Sequence, residues 1–238
     1  MEKYKEMIRK IPRWGYIAGP VILMLQYASY LLGELISHLT GTDSWAFVCK
    51  IPAIDDKIPL IPAFIVIYVF SFAFWIVGYI IITLTPKRNY VNYLCTLALS
   101  CFICFLTFIF APTYMDRVAE GAIAQTYQPG FFNWLLGFIY HFDGWETGRN
   151  LLPSLHCLAS TVCYLFIRRQ PDVPRGFQIY TLIVAILICA STVLTKQHYI
   201  IDVPTGVGLA IICYLIVRKT DPIRWLDKEL PGEKNDEK

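Results

Sequence analysis

Two short polar stretches interrupt an otherwise apolar chain, and the first is TKQHYIIDVPTGVG at positions 195–208. On a helix, His198 and Asp202 lie one turn apart on the same face. A carboxylate that accepts a hydrogen bond from one ring nitrogen fixes the imidazole tautomer and makes the other nitrogen more basic. The pair therefore suits a nucleophile or a general base. Alone, it fits a helix-capping acid equally well, because an acid in the first turn complements the helix dipole.

The second stretch, NLLPSLHC at positions 150–157, favours the chemical interpretation. Its proline is predicted to start a helix, with Ser154 in the first turn and His156 just beyond. Unpaired amides of a first helical turn bind anions, and a hydroxyl and an imidazole beside them suit a phosphoryl group. Two histidines, of which Asp202 supports one, would supply a nucleophile and a general acid.

Three cations, Arg117, Arg149 and Lys196, are predicted on the same side as the histidines, where they could neutralise phosphate oxygens. A metal site is the competing interpretation, with His198 and Asp202 as two of its ligands. A catalytic zinc takes about three protein ligands, and no further Asp, Glu or Cys cluster is placed to complete the set. We therefore expect no metal and no cofactor.

The composition indicates the elements that must position these side chains. The 238 residues are 56% hydrophobic and 16% charged, with a mean hydropathy of +0.49. Such a chain is typical of a polytopic membrane protein, and no patch suited to nucleic acid is visible. We predict an all-α fold in which six transmembrane helices form one bundle. The predicted segments are Trp14–Ile36, Leu60–Leu84, Val91–Ala111, Leu151–Ile167, Phe177–Thr195 and Tyr199–Val217.

The distribution of charge predicts the orientation of this bundle. Most of the 21 Lys and Arg residues lie before the first segment, after the sixth, or in the loops after the second and fourth. The positive-inside rule then places both termini in the cytoplasm and both histidine motifs at the extracytoplasmic face. The predicted parts are a basic N-terminal stretch 1–13, a membrane domain 14–217 and a cytoplasmic tail 218–238. The first segment is expected to be a retained helix, because no small-residue cleavage signature follows it.

The loop between the third and fourth segments contains FFNWLLGFIYHFDGW at positions 131–145, which is too short to span a membrane. Its aromatic residues suit the level of the lipid headgroups. It is expected either to lie along the outer leaflet and admit a lipid substrate or to serve only as a packing loop. Asp55, Asp56 and Lys57 are expected in a solvated loop.

The two motifs resemble those of the type 2 phosphatidic acid phosphatase superfamily, abbreviated PAP2. Residues 153–156 match its PSxH motif, and Ser191, His198 and Asp202 match the spacing of its SRxxxxxHxxxD motif. The resemblance implies that His198 is a nucleophile that forms a phosphohistidine, that Asp202 orients it, and that His156 protonates the leaving alcohol. It also implies a metal-independent mechanism. Ser154 and Ser191 join Arg117, Arg149 and Lys196 as candidate phosphate-binding residues.

Two phosphate-binding cations of the family pattern are absent from this chain. Thr192 stands where the family has an arginine after the serine. In the first family motif, KxxxxxxRP, Phe110 occupies the lysine position and Val118 follows Arg117. Lys196 and Arg149 are the candidates to replace these cations.

The sequence therefore predicts an integral membrane phosphatase that acts at the extracytoplasmic face on a lipid phosphomonoester or pyrophosphate, of phosphatidate, phosphatidylglycerophosphate or polyprenyl-phosphate type. PSLH in place of the commoner PSGH is also similar to the phosphotransferase branch that makes inositol phosphorylceramide and sphingomyelin. A transporter with an intramembrane His and Asp relay is a further alternative, although it would need polar residues near the membrane midplane. The expected partners are a lipid phosphate substrate and membrane lipids, with no nucleic acid, and the oligomeric state stays open.

Overall fold

The apolar runs of the sequence form the long helices of the bundle. The computed structural model describes residues 15–223, so the N-terminal stretch 1–13 and most of the tail 218–238 lie outside the described part. The long helices are α1 (Gly15–Thr40), α3 (Ile65–Thr83), α4 (Lys87–Phe110), α7 (Leu155–Ile167), α8 (Arg175–Leu194) and α9 (Asp202–Thr220).

Shorter elements connect these helices. They are α2 (Pro52–Asp55), α5 (Ala122–Thr126), α6 (Phe131–Phe142), two 3₁₀ turns (Thr42–Trp45 and Pro62–Phe64) and the strands β1 (Tyr114–Asp116) and β2 (Thr147–Arg149). The two strands pair antiparallel, with Tyr114 opposite Arg149 and Asp116 opposite Thr147. The fold is thus mostly helical, and the prediction of an all-α chain missed this small sheet. Strands of three residues are too short to show the alternating pattern by which strands are predicted.

Within residues 15–223, each of the six segments predicted from hydropathy overlaps one of the long helices, although residues 151–154 and 199–201 precede theirs. Four helices within residues 15–223 are long and apolar enough to cross a membrane: Pro62–Thr83, Lys87–Phe110, Arg175–Leu194 and Asp202–Thr220. Helix α7 is apolar but has only 13 residues. Six spans and cytoplasmic termini therefore remain predictions.

Helix α7 lies at the centre of the bundle and contacts α3, α4, α8 and α9. Its buried apolar side chains, among them Leu158, Val162 and Phe166, belong to the main hydrophobic core. A buried hydrogen bond of 3.0 Å runs from Trp75 Nε1 on α3 to Ser160 Oγ on α7. This arrangement fixes the position of the helix whose first turn carries His156.

A glycine allows α9 to approach the start of α7 closely. A Cβ atom added to Gly206 would lie 2.5 Å from the carbonyl oxygen of Ser154, so a larger residue would push the helices apart. Small residues at such crossings are typical of helix packing in membranes. The backbone N–H of Ser154 also donates to the carbonyl oxygen of Asp202 over 3.3 Å. The first turns of the two helices, which carry Asp202 and His156, are thereby held together.

The predicted orientation is tested by labelling introduced cysteines with a membrane-impermeant maleimide. Lys57 and Asp172 are both exposed, and the sequence predicts them on opposite sides of the membrane. In a background with Cys49→Ser, we expect Lys57→Cys to react in intact cells and Asp172→Cys to react only after permeabilisation. The reverse pattern would overturn the predicted orientation.

Candidate active site

His198 lies in the turn between α8 and α9, and Asp202 is the first residue of α9. The Asp202 side chain is 0% exposed, and its Oδ2 lies 3.1 Å from His198 Nδ1. The backbone N–H of Tyr199 donates to the same oxygen over 2.9 Å. The contact predicted from the four-residue spacing is present, although His198 precedes the helix. With Nδ1 engaged, Nε2 is the ring nitrogen available for chemistry.

The environment of His198 changes its basicity. Burial lowers the pKa of this imidazole, but the hydrogen bond and the charge of Asp202 outweigh burial and leave the pKa raised above its usual 6.5. Asp202 therefore stabilises the protonated ring. The neutral form, which is the nucleophile, becomes more abundant as the pH rises through the raised pKa.

His156 is held by aromatic side chains of α3. Its ring stacks on Tyr68 at a centroid distance of 4.1 Å and an interplanar angle of 24°, and it also contacts Trp75 at 5.2 Å. The ring centroids of His156 and His198 are 6.4 Å apart. Nε2 of His156 is buried and has no hydrogen-bond partner among the described residues. The two imidazoles thus lie close together in an edge arrangement, and Nε2 of His156 has no partner within residues 15–223.

Both histidines line a cavity of about 360 Å³, which we call the catalytic cavity. Its polar lining includes Gln197, Asp143 and Arg149. Most of the apolar lining comes from α1, α3 and α6, with Leu155 of α7 in addition. Several of these side chains are also exposed on the surface of the bundle, namely Tyr27, Leu31, Phe72, Ile76 and Phe142. The cavity therefore joins the two imidazoles to an apolar exterior.

Arg117 is fully buried behind the catalytic cavity and is not part of its wall. One terminal nitrogen donates to the carbonyl oxygens of Asp143 (2.8 Å) and Trp145 (3.0 Å). The other donates to the Asp143 carboxylate and, over 2.6 Å, to Gln197 Oε1. The guanidinium also lies 4.4 Å from the ring centroid of Tyr140. Arg117 thereby ties the segment after α6 to the turn that carries His198.

The other predicted phosphate-binding residues differ in their positions. Arg149 lines the catalytic cavity with its side chain 45% exposed, and its Nε lies 3.7 Å from Glu34 Oε1. Lys196 is buried outside the cavity wall, where Nζ donates to the carbonyl oxygen of Asp55 over 3.2 Å. The buried serines are also outside the wall: Ser154 Oγ accepts from the Cys157 N–H, and Ser191 Oγ donates to the Ile188 carbonyl oxygen.

Asp55 is a site residue that the sequence analysis placed wrongly. Expected in a solvated loop, it is 2% exposed. Its Oδ1 accepts from the Ile200 N–H over 2.8 Å and its Oδ2 from the Ile51 N–H over 2.6 Å. Together with the Lys196 contact to its carbonyl oxygen, these bonds hold the His198 turn on both sides. No local pattern could have revealed this, because Asp55 and Ile200 are 145 positions apart.

Glu120 reinforces the same turn. Its carboxylate lies 3.7 Å from Lys196 Nζ and 2.7 Å from Lys50 Nζ, and it accepts a hydrogen bond of 3.3 Å from the Tyr199 hydroxyl. Hydrogen bonds to Asp56 and Glu120 raise the pKa of Lys50 to about 12, so this cation stays charged. We call Asp55, Glu120, Lys50 and Lys196 the loop clamp. It holds the backbone that carries His198.

Replacement of Asp55 tests the loop clamp. In Asp55→Asn, an amide that accepts through one oxygen replaces a carboxylate that accepts from two backbone N–H groups. We expect kcat for p-nitrophenyl phosphate to fall about 100-fold with little change in KM. A displacement of a reacting group by about 1 Å lowers the reaction rate by about that factor. The matched control is Asp56→Asn, since the Asp56 side chain is 57% exposed and contacts only Lys50 of the clamp. Wild-type kcat in Asp55→Asn would contradict a positioning role.

No group of three or more His, Cys, Asp or Glu side chains within residues 15–223 is arranged to hold a metal ion. The groups that the described residues offer for chemistry at the site are imidazole, carboxylate, amide and guanidinium.

In a comparison with known protein families, the sequence model described as PAP2 superfamily matches residues 51–216. Comparison with curated proteins found no match, and comparison with solved structures found none either. The matched region contains both histidine motifs, three of the four described helices long enough to cross a membrane, and all but the last four residues of the fourth. Together these findings indicate an integral membrane protein with a phosphatase-type function. Because the match covers more than half of the chain, the chain belongs to the PAP2 superfamily.

Proposed function

We propose that the chain is an integral membrane lipid phosphatase that cleaves the phosphate group of a lipid through a phosphohistidine intermediate. The observation that carries this proposal is the buried Asp202–His198 pair, which faces His156 within one cavity. Membership of the PAP2 superfamily supports a phosphatase-type function. The charge distribution of the sequence supports an extracytoplasmic site.

In the first step, Nε2 of His198 attacks phosphorus and the bond from phosphorus to the lipid oxygen breaks. His156 donates a proton to that oxygen, so the lipid leaves as an alcohol. Asp202 accepts a hydrogen bond from His198 Nδ1 and stabilises the positive charge that the ring acquires. The two imidazoles, whose ring centroids are 6.4 Å apart, line the same cavity, so a phosphoryl group bound in that cavity would have both rings beside it.

In the second step, His156 is neutral and acts as a general base. It removes a proton from a water molecule whose oxygen attacks phosphorus, and the bond from phosphorus to His198 breaks. Phosphate is released, and both histidines return to their starting protonation states. The hydrogen bond from Nδ1 to Asp202 keeps the released His198 ring in the orientation for the next attack.

The surroundings of the cavity support a lipid as the substrate. Exposed apolar side chains of α1, α3 and α6 form part of its wall. Helix α6 also presents a row of exposed aromatic residues, Phe131, Phe132, Trp134, Phe138 and Phe142. Such residues lie well at the level of the lipid headgroups. A lipid tail could therefore remain in the bilayer while its phosphate reaches the histidines.

A phosphotransferase is a second candidate, and one observation favours it. A second cavity of about 300 Å³ shares Glu34, Thr147, Arg149 and Asn150 with the catalytic cavity. We call it the polar cavity, because its remaining lining includes Ser37, Asp43, Ser44, Thr113 and Tyr114. An acceptor alcohol bound there could replace water in the second step.

The phosphohistidine is tested directly. Protein quenched with base during turnover of a ³²P-labelled lipid phosphate should carry phosphate that is stable to base and labile to acid. His198→Ala should carry none, because it lacks the nucleophile. The matched control is His141→Ala, which removes an exposed histidine at the end of α6 and should label like the wild type. Full labelling of His198→Ala would end this mechanism.

The cations are tested by replacement with methionine. Arg149→Met should lower turnover about 100- to 1000-fold, because it removes a charge from the cavity wall that stabilises the transition state. Lys196→Met and Arg117→Met should also lower turnover, because each removes a hydrogen bond that holds the His198 turn or Gln197 in position. The control is Arg175→Met, since Arg175 is exposed at the start of α8. Wild-type turnover in Lys196→Met would exclude Lys196 from both phosphate binding and the loop clamp.

A further inference from the structure

Two arginines lie together at the end of the bundle opposite the catalytic cavity. Arg168 directly follows α7, and Arg218 lies in the last turn of α9. Their guanidinium carbons lie 5.6 Å and 5.5 Å from the ring centroid of Tyr214, a buried residue of α9. Arg218 donates a hydrogen bond of 2.7 Å to the Tyr214 hydroxyl, which Arg168 also contacts. We call Arg168 and Arg218 the arginine pair.

No carboxylate compensates the charge of the arginine pair within residues 15–223, where neither member forms an ion pair. Asp221, the acid closest to Arg218 in the sequence, accepts hydrogen bonds of 3.0 Å and 2.9 Å from Arg88. The tyrosine ring attracts cations through its face but has no net charge. Like charges held beside each other repel, and more strongly where water is partly excluded. The pair therefore lacks a counter-charge among the described residues.

Arg168 also has a donor without a partner. Its Nε is buried and forms no hydrogen bond with any described residue. Such donors are rare in native proteins and call for an explanation. The side chain as a whole is only half-buried, so part of it reaches the surface. An anion bound at that outer part would offset the cost of placing this charge in the protein.

The chemistry of arginine indicates which anion fits. A guanidinium group presents a planar fork of donors that matches the oxygen atoms of a phosphate group. Two such groups beside one hydroxyl can contact different oxygens of the same phosphate. The charge distribution of the sequence predicts this end of the bundle on the cytoplasmic side, where anionic lipids carry phosphate at the membrane surface.

The surface next to Arg218 indicates that a lipid carries this phosphate. Ile211 and Leu215 on α9 are 40% and 58% exposed. Residues three and four apart share one face of a helix, so these two side chains and Arg218 follow one another along α9. This helix is among those long and apolar enough to cross a membrane. An acyl chain can lie along the two apolar side chains while its phosphate reaches the arginine pair.

We propose that Arg168 and Arg218 bind the phosphate group of an anionic lipid in the leaflet opposite the catalytic cavity. Neither arginine lines the catalytic cavity or the polar cavity, so the site is separate from both. The inference therefore does not depend on the proposed function. A lipid held there would fix the ends of α7 and α9, the two helices whose first turns carry His156 and Asp202.

Native mass spectrometry of the full chain counts bound lipids and tests the site. The detergent-solubilised protein is titrated with dioctanoyl phosphatidylglycerol, dioctanoyl phosphatidylcholine or inorganic phosphate. The two lipids have the same tails, and only the first carries a net negative charge. We expect phosphatidylglycerol to bind at least about tenfold more tightly than phosphatidylcholine, because a basic residue near the membrane attracts anionic lipid. Inorganic phosphate should bind more weakly than phosphatidylglycerol, because it has no tails to contact α9.

Variants test the two residues. Arg218→Gln and Arg168→Gln should each weaken one phosphatidylglycerol-binding step per chain at least about tenfold, because each removes a charge-assisted contact. The matched controls are Lys219→Gln and Arg175→Gln, which remove the same charge from exposed positions at the same end of the bundle. Any lipid bound in the catalytic cavity is common to all four variants, so their differences report on the arginine pair.

The outcomes are distinct. An equal loss of binding in Arg218→Gln and Lys219→Gln would indicate general attraction to a basic surface and would overturn the site, as would unchanged binding in Arg218→Gln. Inorganic phosphate that bound as tightly as phosphatidylglycerol, with the same dependence on Arg218, would overturn the lipid as the ligand. Because Arg218 is exposed, its comparison with Lys219 decides the matter even if Arg168→Gln does not fold.

Discussion

The buried carboxylate of Asp202 is the group on which the rest of the site depends. A carboxylate removed from water is strongly unfavourable unless nearby donors replace its hydration. Here the imidazole of His198 and the backbone N–H of Tyr199 donate to one oxygen. The close approach at Gly206 and the bond from Ser154 to the Asp202 backbone keep α7 against this turn. The need to stabilise one anion thus shapes the turn and the imidazole tautomer, while the contact between the helices brings His156 close to them.

Arg117 is a buried cation, and hydrogen-bond acceptors of the protein stabilise its charge. Two carbonyl oxygens, the Asp143 carboxylate and the Gln197 amide oxygen accept from its terminal nitrogens. Removal of one member of a buried ion pair typically costs about 3–5 kcal/mol, because the other charge is left unpaired. This arginine therefore links the segment after α6 to the turn that carries His198, both by its hydrogen bonds and by its charge. Its bonds to protein explain why a cation matched to a family motif can lie behind the cavity wall.

The sequence predicts the helices and short-range contacts of this molecule much better than contacts between residues that are far apart in the chain. Hydropathy locates all six long helices, and the spacing from His198 to Asp202 predicts a contact that is present. The resemblance to the PAP2 superfamily is confirmed by the family match. The roles of Asp55 and Gln197 depend on partners 145 and 80 positions away, and neither helical periodicity nor motif spacing carries that information. Lys196 adopts a left-handed backbone with φ of 47°, so helical spacing could not predict where its side chain lies.

The placement of Arg117 behind the cavity has a chemical consequence. A cation in direct contact with substrate binds the ground state as well as the transition state, and only the difference between the two accelerates the reaction. The positive charge of Arg117 polarises the Gln197 amide through its oxygen, which strengthens the free N–H groups as donors. These dipoles are oriented without substrate, so the proposed phosphoryl transfer would need little reorganisation as charge shifts. In the proposed function, the buried arginine would in this way act on the phosphoryl group through a neutral side chain.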